Sequence, residues 1–163
     1  MVRVTQDLRY DFAVYDRQGR AVAVVEAKRR LKIDAAWARE WYASTAARMQ
    51  LPREATVVLV SPDRVYAWRP GAEEAAEPDW TFEASPWFAP YFARLKIAPS
   101  EVDPRVFEEI VGLWLQDVVL GELPETSRAG GARSVLGALH GGEVAATSVL
   151  GEGSTFRFEL PRG

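Results

Sequence analysis

The sequence predicts an α/β protein, and three stretches predict it. Two apolar runs, Tyr10–Tyr15 and Ala21–Ala27, flank the turn-forming Asp16-Arg17-Gln18-Gly19 and read as a β-hairpin. From Ala35 to about Met49 apolar side chains recur at helical spacing. The β-branched run Ala55–Ser61 then reads as a further buried strand, so strands and helix alternate. At 163 residues, 48% of them hydrophobic, the chain can fill one real core and has no room for two of average size.

The hairpin organises the rest. Each of its runs carries a carboxylate, Asp11 in the first and Glu26 in the second, and Lys28 follows Glu26 by two residues. Side chains at i and i+2 of a strand share a face, so Glu26 and Lys28 project together. Val24 and Val25 lead into Glu26 as a run apolar on both faces, as expected of a central strand. A charged pair at the end of such a strand is costly unless it is paired or coordinated. A solvated pair, by contrast, contributes only about 0–1 kcal/mol.

Whether Asp11 joins the pair depends on the turn. A two- or four-residue loop sets Tyr15 opposite Arg20 and Asp11 opposite Val24, on the face of Glu26 and Lys28. A three-residue loop with a bulge at Gly19 slips the register by one and turns Asp11 away, unless a second bulge restores it. The sequence leaves both open.

Asp34 is a suitable N-cap for the helix that follows. Trp37, Trp41, Thr45 and Met49 recur at i+4, widened by Ala38, Tyr42 and Ala46, and this face is expected to pack on the sheet as core rather than to form a base-stacking platform. Pro52 ends it. After the strand Ala55–Ser61, the turn Pro62-Asp63-Arg64 and the alternating Val65–Arg69 predict a second hairpin.

Pro70 to Pro90 reads as a loop, an acidic and mobile insert with Gly71, Glu73, Glu74, Glu77 and Pro78. The aromatic stretch Pro86–Phe92 either covers the open side of the core or forms an exposed partner site. Asp103 as N-cap and Pro104 at the first helical position open a helix to about Leu120, with Gly121 as its stop. Its broad apolar face, Val106, Phe107, Ile110, Val111, Trp114, Leu115 and Val118, either docks on the sheet or pairs with a second copy of the chain. A C-terminal hairpin of Glu143–Val149 and Thr155–Leu160, turning through Gly151 and Gly153, would extend a sheet edge or make an oligomer. The expected division is 1–122 and a C-terminal extension, 123–163.

Composition removes several chemistries. With no cysteine and the single histidine His140, disulfides and thiolate sites are excluded and a zinc centre of the usual kind is not expected. Ser/His/Asp catalysis would have to use His140, which sits before Gly141-Gly142. No apolar run approaches the roughly 20 residues of a membrane span and no signal-like apolar region opens the chain, so a soluble cytoplasmic protein is expected. A net charge of −3 gives no general basic field. Locally, however, Lys28, Arg29, Arg30 and Lys32 form a basic cluster beside the acidic pair, with Arg3 and Arg9 near in sequence.

Asp11 and Glu26-Ala27-Lys28, on a hairpin followed by a helix and two more strands, resemble the PD-(D/E)xK nuclease superfamily over roughly residues 8–70. The resemblance implies a restriction-endonuclease-like mixed sheet flanked by helices and Mg²⁺- or Mn²⁺-dependent hydrolysis of DNA phosphodiesters. Asp11 and Glu26 would hold the metal, with the Ala27 carbonyl as a further ligand. Lys28 would position the hydroxide nucleophile, and Arg29, Arg30 and Lys32 would contact the nucleic acid. Hard oxygen donors suit a hard cation, and a nearby ammonium suits a developing anion. The chain departs from the pattern at Tyr10, which stands in place of Pro as many members tolerate, and in the usual N-terminal helix with its extra Glu, expected to be missing or very short with only about ten residues before the hairpin. Glu40 and Trp41 stand where some subfamilies place Gln. The alternative is a non-catalytic interaction or oligomerisation module on the same scaffold.

Ser134–Pro161, with His140-Gly141-Gly142-Glu143-Val144 and Gly151–Pro161, also resembles the closing strands of a histidine-kinase-type ATPase domain, over under a fifth of the chain. The chain has no Asp-x-Gly-x-Gly and no asparagine, so ATP binding is not expected.

Overall fold

The structure, a computed structural model, describes residues 10–48, 51–120, 143–146 and 156–157. Five strands form a mixed sheet in the order β5-β4-β3-β2-β1. They are β1 (Phe12–Tyr15), β2 (Ala21–Ala27), β3 (Thr56–Val60), β4 (Arg64–Trp68) and β5 (Trp80–Glu83). The pairs β1/β2, β3/β4 and β4/β5 are antiparallel, whereas β2 and β3 are parallel. A parallel pair needs a crossover, which is supplied by helix α1 (Ala35–Arg48). Two short antiparallel segments, β6 (Glu143–Ala146) and β7 (Phe156–Arg157), continue the sheet beyond β1. The expected turn of that C-terminal pair, with Gly151 and Gly153, lies outside the described residues, as do Arg3, Arg9, Met49, Gly121 and His140.

The sheet separates two cores. On one face Ala13, Val24, Val57, Leu59, Tyr66 and Trp68 pack against Ala38 and Tyr42 of α1. The expected face of α1 does pack on the sheet: Ala38, Tyr42 and Thr45 are buried, and Trp37 and Trp41 pack partly buried against the same core. On the other face Phe12, Val14, Val25, Val58 and Val65 pack against α2 (Ser85–Leu95) and α3 (Pro104–Leu120). The N-cap expectations hold in detail. The Trp37 N–H donates to Asp34 Oδ1 at 2.8 Å, and the Arg105 N–H to Asp103 Oδ1 at 2.8 Å.

The stretch read as a loop from Pro70 to Pro90 instead contains β5 and the start of α2. In β5 the half-buried Trp80 and buried Phe82 alternate with the exposed Thr81 and Glu83, enough for a short outer strand. In α2, Pro86 falls in the first turn, where its missing N–H costs nothing, and Pro90 lies inside the helix. Burial of Trp87, Phe88, Tyr91 and Phe92 outweighs that lost hydrogen bond. Trp87 stacks on Trp114 with ring centroids 5.7 Å apart. The acidic insert is fastened rather than free: Tyr42 Oη donates to the Ala72 carbonyl and Trp68 Nε1 to the Ala76 carbonyl, and Asp79 Oδ2 accepts the Arg69 N–H at 2.8 Å.

Of the readings left open for α3, docking on the sheet is the one observed. Phe107, Ile110, Val111, Trp114, Leu115 and Val118 are all buried within the chain. The aromatic stretch likewise covers the core. Among the described residues no helix is long and apolar enough to cross a membrane.

Candidate active site

The hairpin reaches its register by two slips. Asp16 N–H donates to the Arg20 carbonyl at 2.9 Å and Gly19, at φ +79°, N–H donates to the Asp16 carbonyl at 3.0 Å, closing a three-residue loop that shifts the pairing by one. Tyr15 then faces Ala21, but Val14 faces Ala23. The extra residue, Val22, is the second bulge, and it restores the parity that the loop removed. Phe12 faces Val25, so continuing the register brings Asp11 opposite Glu26. Of the two outcomes read from the sequence, the slipped one is realised, together with its correction.

At that point β1 leaves β2, and side chains complete what the backbone ladder no longer does. Lys28 N–H donates to the Val60 carbonyl on the β3 side, so the N–H of Ala27 faces the opposite way, toward β1. The Asp11 carboxylate accepts it there, Oδ2 to N 2.8 Å. In return the Asp11 N–H donates to Glu26 Oε2 at 3.2 Å. Glu26 Oε1 holds Lys28 Nζ at 3.1 Å, with the Glu26 side chain only 13% exposed and that of Lys28 41% exposed. Asp11 and Lys28 are thus both brought to Glu26, Asp11 by the slipped and restored register that the sequence left open. Along a strand a residue's carbonyl points to the same side as its N–H, which aims the Ala27 carbonyl toward Asp11 as well.

A third carboxylate was not anticipated. Glu108 of α3 comes close enough to Asp11 for the two carboxyls to perturb one another, from the layer opposite that of α1. A carboxylate on an exposed helix face is unremarkable in sequence, especially beside Glu109. The available signal was its spacing: Glu108 precedes Val111 and Leu115 by three and seven residues and so falls on their buried stripe.

Burial and mutual repulsion make these groups reluctant to ionise. Burial raises Asp11, which is only 6% exposed, against the opposing effects of the Ala27 N–H and the Lys28 ammonium. Burial and then the charge of Asp11 push Glu26 up to about 7, despite Lys28. Glu108 is likewise pushed up to about 7, by burial and then by Asp11. Asp11 is thus the neighbour that both glutamates feel.

Among the described residues no group of three or more acidic or histidine side chains is set as a ready-made cation cage. The donor chemistry of Asp11, Glu26 and the Ala27 carbonyl nevertheless fits a hard divalent cation, whose charge would relieve the repulsion that raises Glu26.

The basic cluster divides. Arg29 is turned away, its Nη1 donating to the Val102 carbonyl at 3.2 Å. Arg30 is exposed, and its guanidinium carbon lies 5.3 Å from the centroid of the Trp37 ring. Lys32 occupies the left-handed region at φ 57°, its N–H held by Asp63 Oδ2 at 3.1 Å and its side chain exposed. Of the three residues expected at the nucleic acid, Arg29 is thus occupied within the chain. No family model matches this chain, and neither the curated proteins nor the solved structures contain a match.

Proposed function

We propose that the chain is a Mg²⁺- or Mn²⁺-dependent phosphodiesterase acting on DNA, with a restriction-endonuclease-like core and a C-terminal β-hairpin. What supports the reading is one convergence where β1 leaves the central strand: Asp11 bonded through its N–H to Glu26 and through its carboxylate to the Ala27 N–H, and Lys28 paired with the same Glu26. The hairpin, the helix and the parallel strand β3 follow in the order the resemblance implies.

In this reading Asp11 and Glu26, with the Ala27 carbonyl, hold the cation. A cation bound there supplies Lewis-acid stabilisation of charge on the phosphoryl oxygens. Glu26 keeps the Lys28 ammonium at the site through its 3.1 Å contact. Lys28 orients the attacking water and stabilises its hydroxide character as the water loses a proton to solvent, its oxygen bonds to phosphorus, and the bond to the leaving strand breaks, the departing oxygen taking up a proton from solvent. The Ala27 N–H fixes the rotamer of Asp11, so one of its oxygens is positioned before substrate arrives. The two apolar surfaces that would serve a protein-interaction module, the aromatic stretch of α2 and the face of α3, are spent in the chain's own core.

The test is cleavage of plasmid and single-stranded DNA with Mg²⁺ or Mn²⁺, comparing the wild type with Lys28→Ala. Cleavage that needs the cation and is lost in Lys28→Ala supports the reading. An inactive wild type that also shows no stabilisation by either cation removes it.

A further inference from the structure

The loop that carries the basic cluster out of β2 is unusually well held. Arg29 anchors it to the Val102 carbonyl, the Lys32 N–H to Asp63, and the Ile33 carbonyl accepts a hydrogen bond from Tyr66 Oη. Trp37, immediately beyond, is fixed at the first turn of α1 by its N–H bond to Asp34. Two groups stand together on this frame, the exposed guanidinium of Arg30 and, beneath it, the indole of Trp37, which is partly buried against the core on the α1 side and keeps the rest of its surface accessible.

We propose that Arg30 and Trp37 form a base-stacking platform that selects single-stranded DNA, seating the base of a nucleotide next to the phosphate held at Lys28. The proposal rests on the phosphodiesterase reading for the location of that phosphate. Arg30 follows Lys28 by two residues, so their Cα atoms are at most about 7 Å apart. A guanidinium lying on an indole is a planar, partly desolvated surface, and unpaired bases stack on both group types without regard to sequence. Bases within a duplex are already stacked on one another and offer no free face. The charge balance agrees: a chain at −3, with Arg29 diverted to a backbone carbonyl, lacks the broad basic field on which duplex binding depends. Trp37 is thus assigned a role for its accessible surface in addition to the packing against the core that its helical spacing predicts.

The experiment is binding without turnover. Fluorescence anisotropy of a labelled oligothymidylate and of a hairpin duplex is measured in EDTA for the wild type, Trp37→Ala, Trp37→Phe and Arg30→Ala. We expect the wild type to prefer the single strand and Trp37→Ala to weaken that binding about tenfold. Trp37→Phe should retain most of it, duplex binding should not change, and intrinsic tryptophan fluorescence should be quenched by the single strand in the wild type but not in Trp37→Phe. Equal affinity for the two DNAs, no binding to either, or an unchanged affinity in Trp37→Ala overturns the proposal. Because no cleavage is involved, a preference that depends on Trp37 in a protein that cleaves nothing removes only the catalytic reading. Cation-dependent cleavage with no such preference removes only the platform.

Discussion

Glu26→Gln should make the protein more stable at alkaline pH and leave it nearly unchanged in acid. The folded state holds the Glu26 carboxyl at about 7, against an ordinary value of 4.5. Below the ordinary value the group is protonated in both states and contributes no difference. As pH rises, the unfolded chain releases the proton first while the folded chain retains it, so folding becomes less favourable until the folded group ionises as well. The loss should run from about pH 4.5 to about pH 7 and then level off, reaching on the order of 3 kcal/mol. Glutamine keeps an oxygen to accept the Asp11 N–H but cannot ionise. It gives up the ion pair with a half-exposed Lys28, worth about 0–1 kcal/mol. At pH 8 the variant should therefore exceed the wild type by about 2–3 kcal/mol, a rise in melting temperature on the order of 5–10 °C. Urea titrations followed by tryptophan fluorescence from pH 4 to pH 8 measure this directly. Stability curves that run parallel for the two proteins across that range would refute the burial and repulsion assigned to Glu26.

The remaining expectations concern the neighbouring carboxylate and the turn. Glu108→Gln should flatten the same slope, because burial and the charge of Asp11 hold that carboxyl up to about 7 as well. The same urea titrations measure it, and a slope unchanged in Glu108→Gln would contradict the contact with α3. Gly19→Ala should cost about 1 kcal/mol, because the residue is held at φ +79° while an added Cβ meets no atom within 4 Å, leaving backbone strain as the whole cost. Gly19→Asn should cost less, as checked by the same titration.

Much of the fold could be read from residues whose chemistry acts locally. Asp34 and Asp103 mark helix starts because a carboxylate accepts the N–H groups that the first turn leaves free. The runs at Ala21–Ala27 and Thr56–Val60 are apolar on both faces because both faces are covered. Where the reading fell short, a local signal pointed one way and tertiary burial decided otherwise. Pro86 and Pro90 argue against a helix, yet four aromatics on one side of α2 find a cavity to fill against α3. The meeting of Glu26 with Lys28 followed from strand geometry alone, whereas that of Asp11 with Glu26 needed two irregularities that composition does not specify. Glu108 was out of reach for a different reason: its contact with Asp11 joins positions far apart in the chain, and only the docking of α3 determines it.

The paired irregularities of the first hairpin have a bearing on how such a chain can vary in length. One supernumerary position lies in the connection and another in the second strand, and each alone would exchange inside for outside along Phe12–Tyr15. Deleting a single residue near Gly19 would aim Phe12 and Val14 at the layer now filled by Ala13 and Tyr15, and would carry the acid at position 11 out of alignment with its partner. Length changes at this corner should be tolerated only in twos, or as a gain on one side matched by a loss on the other.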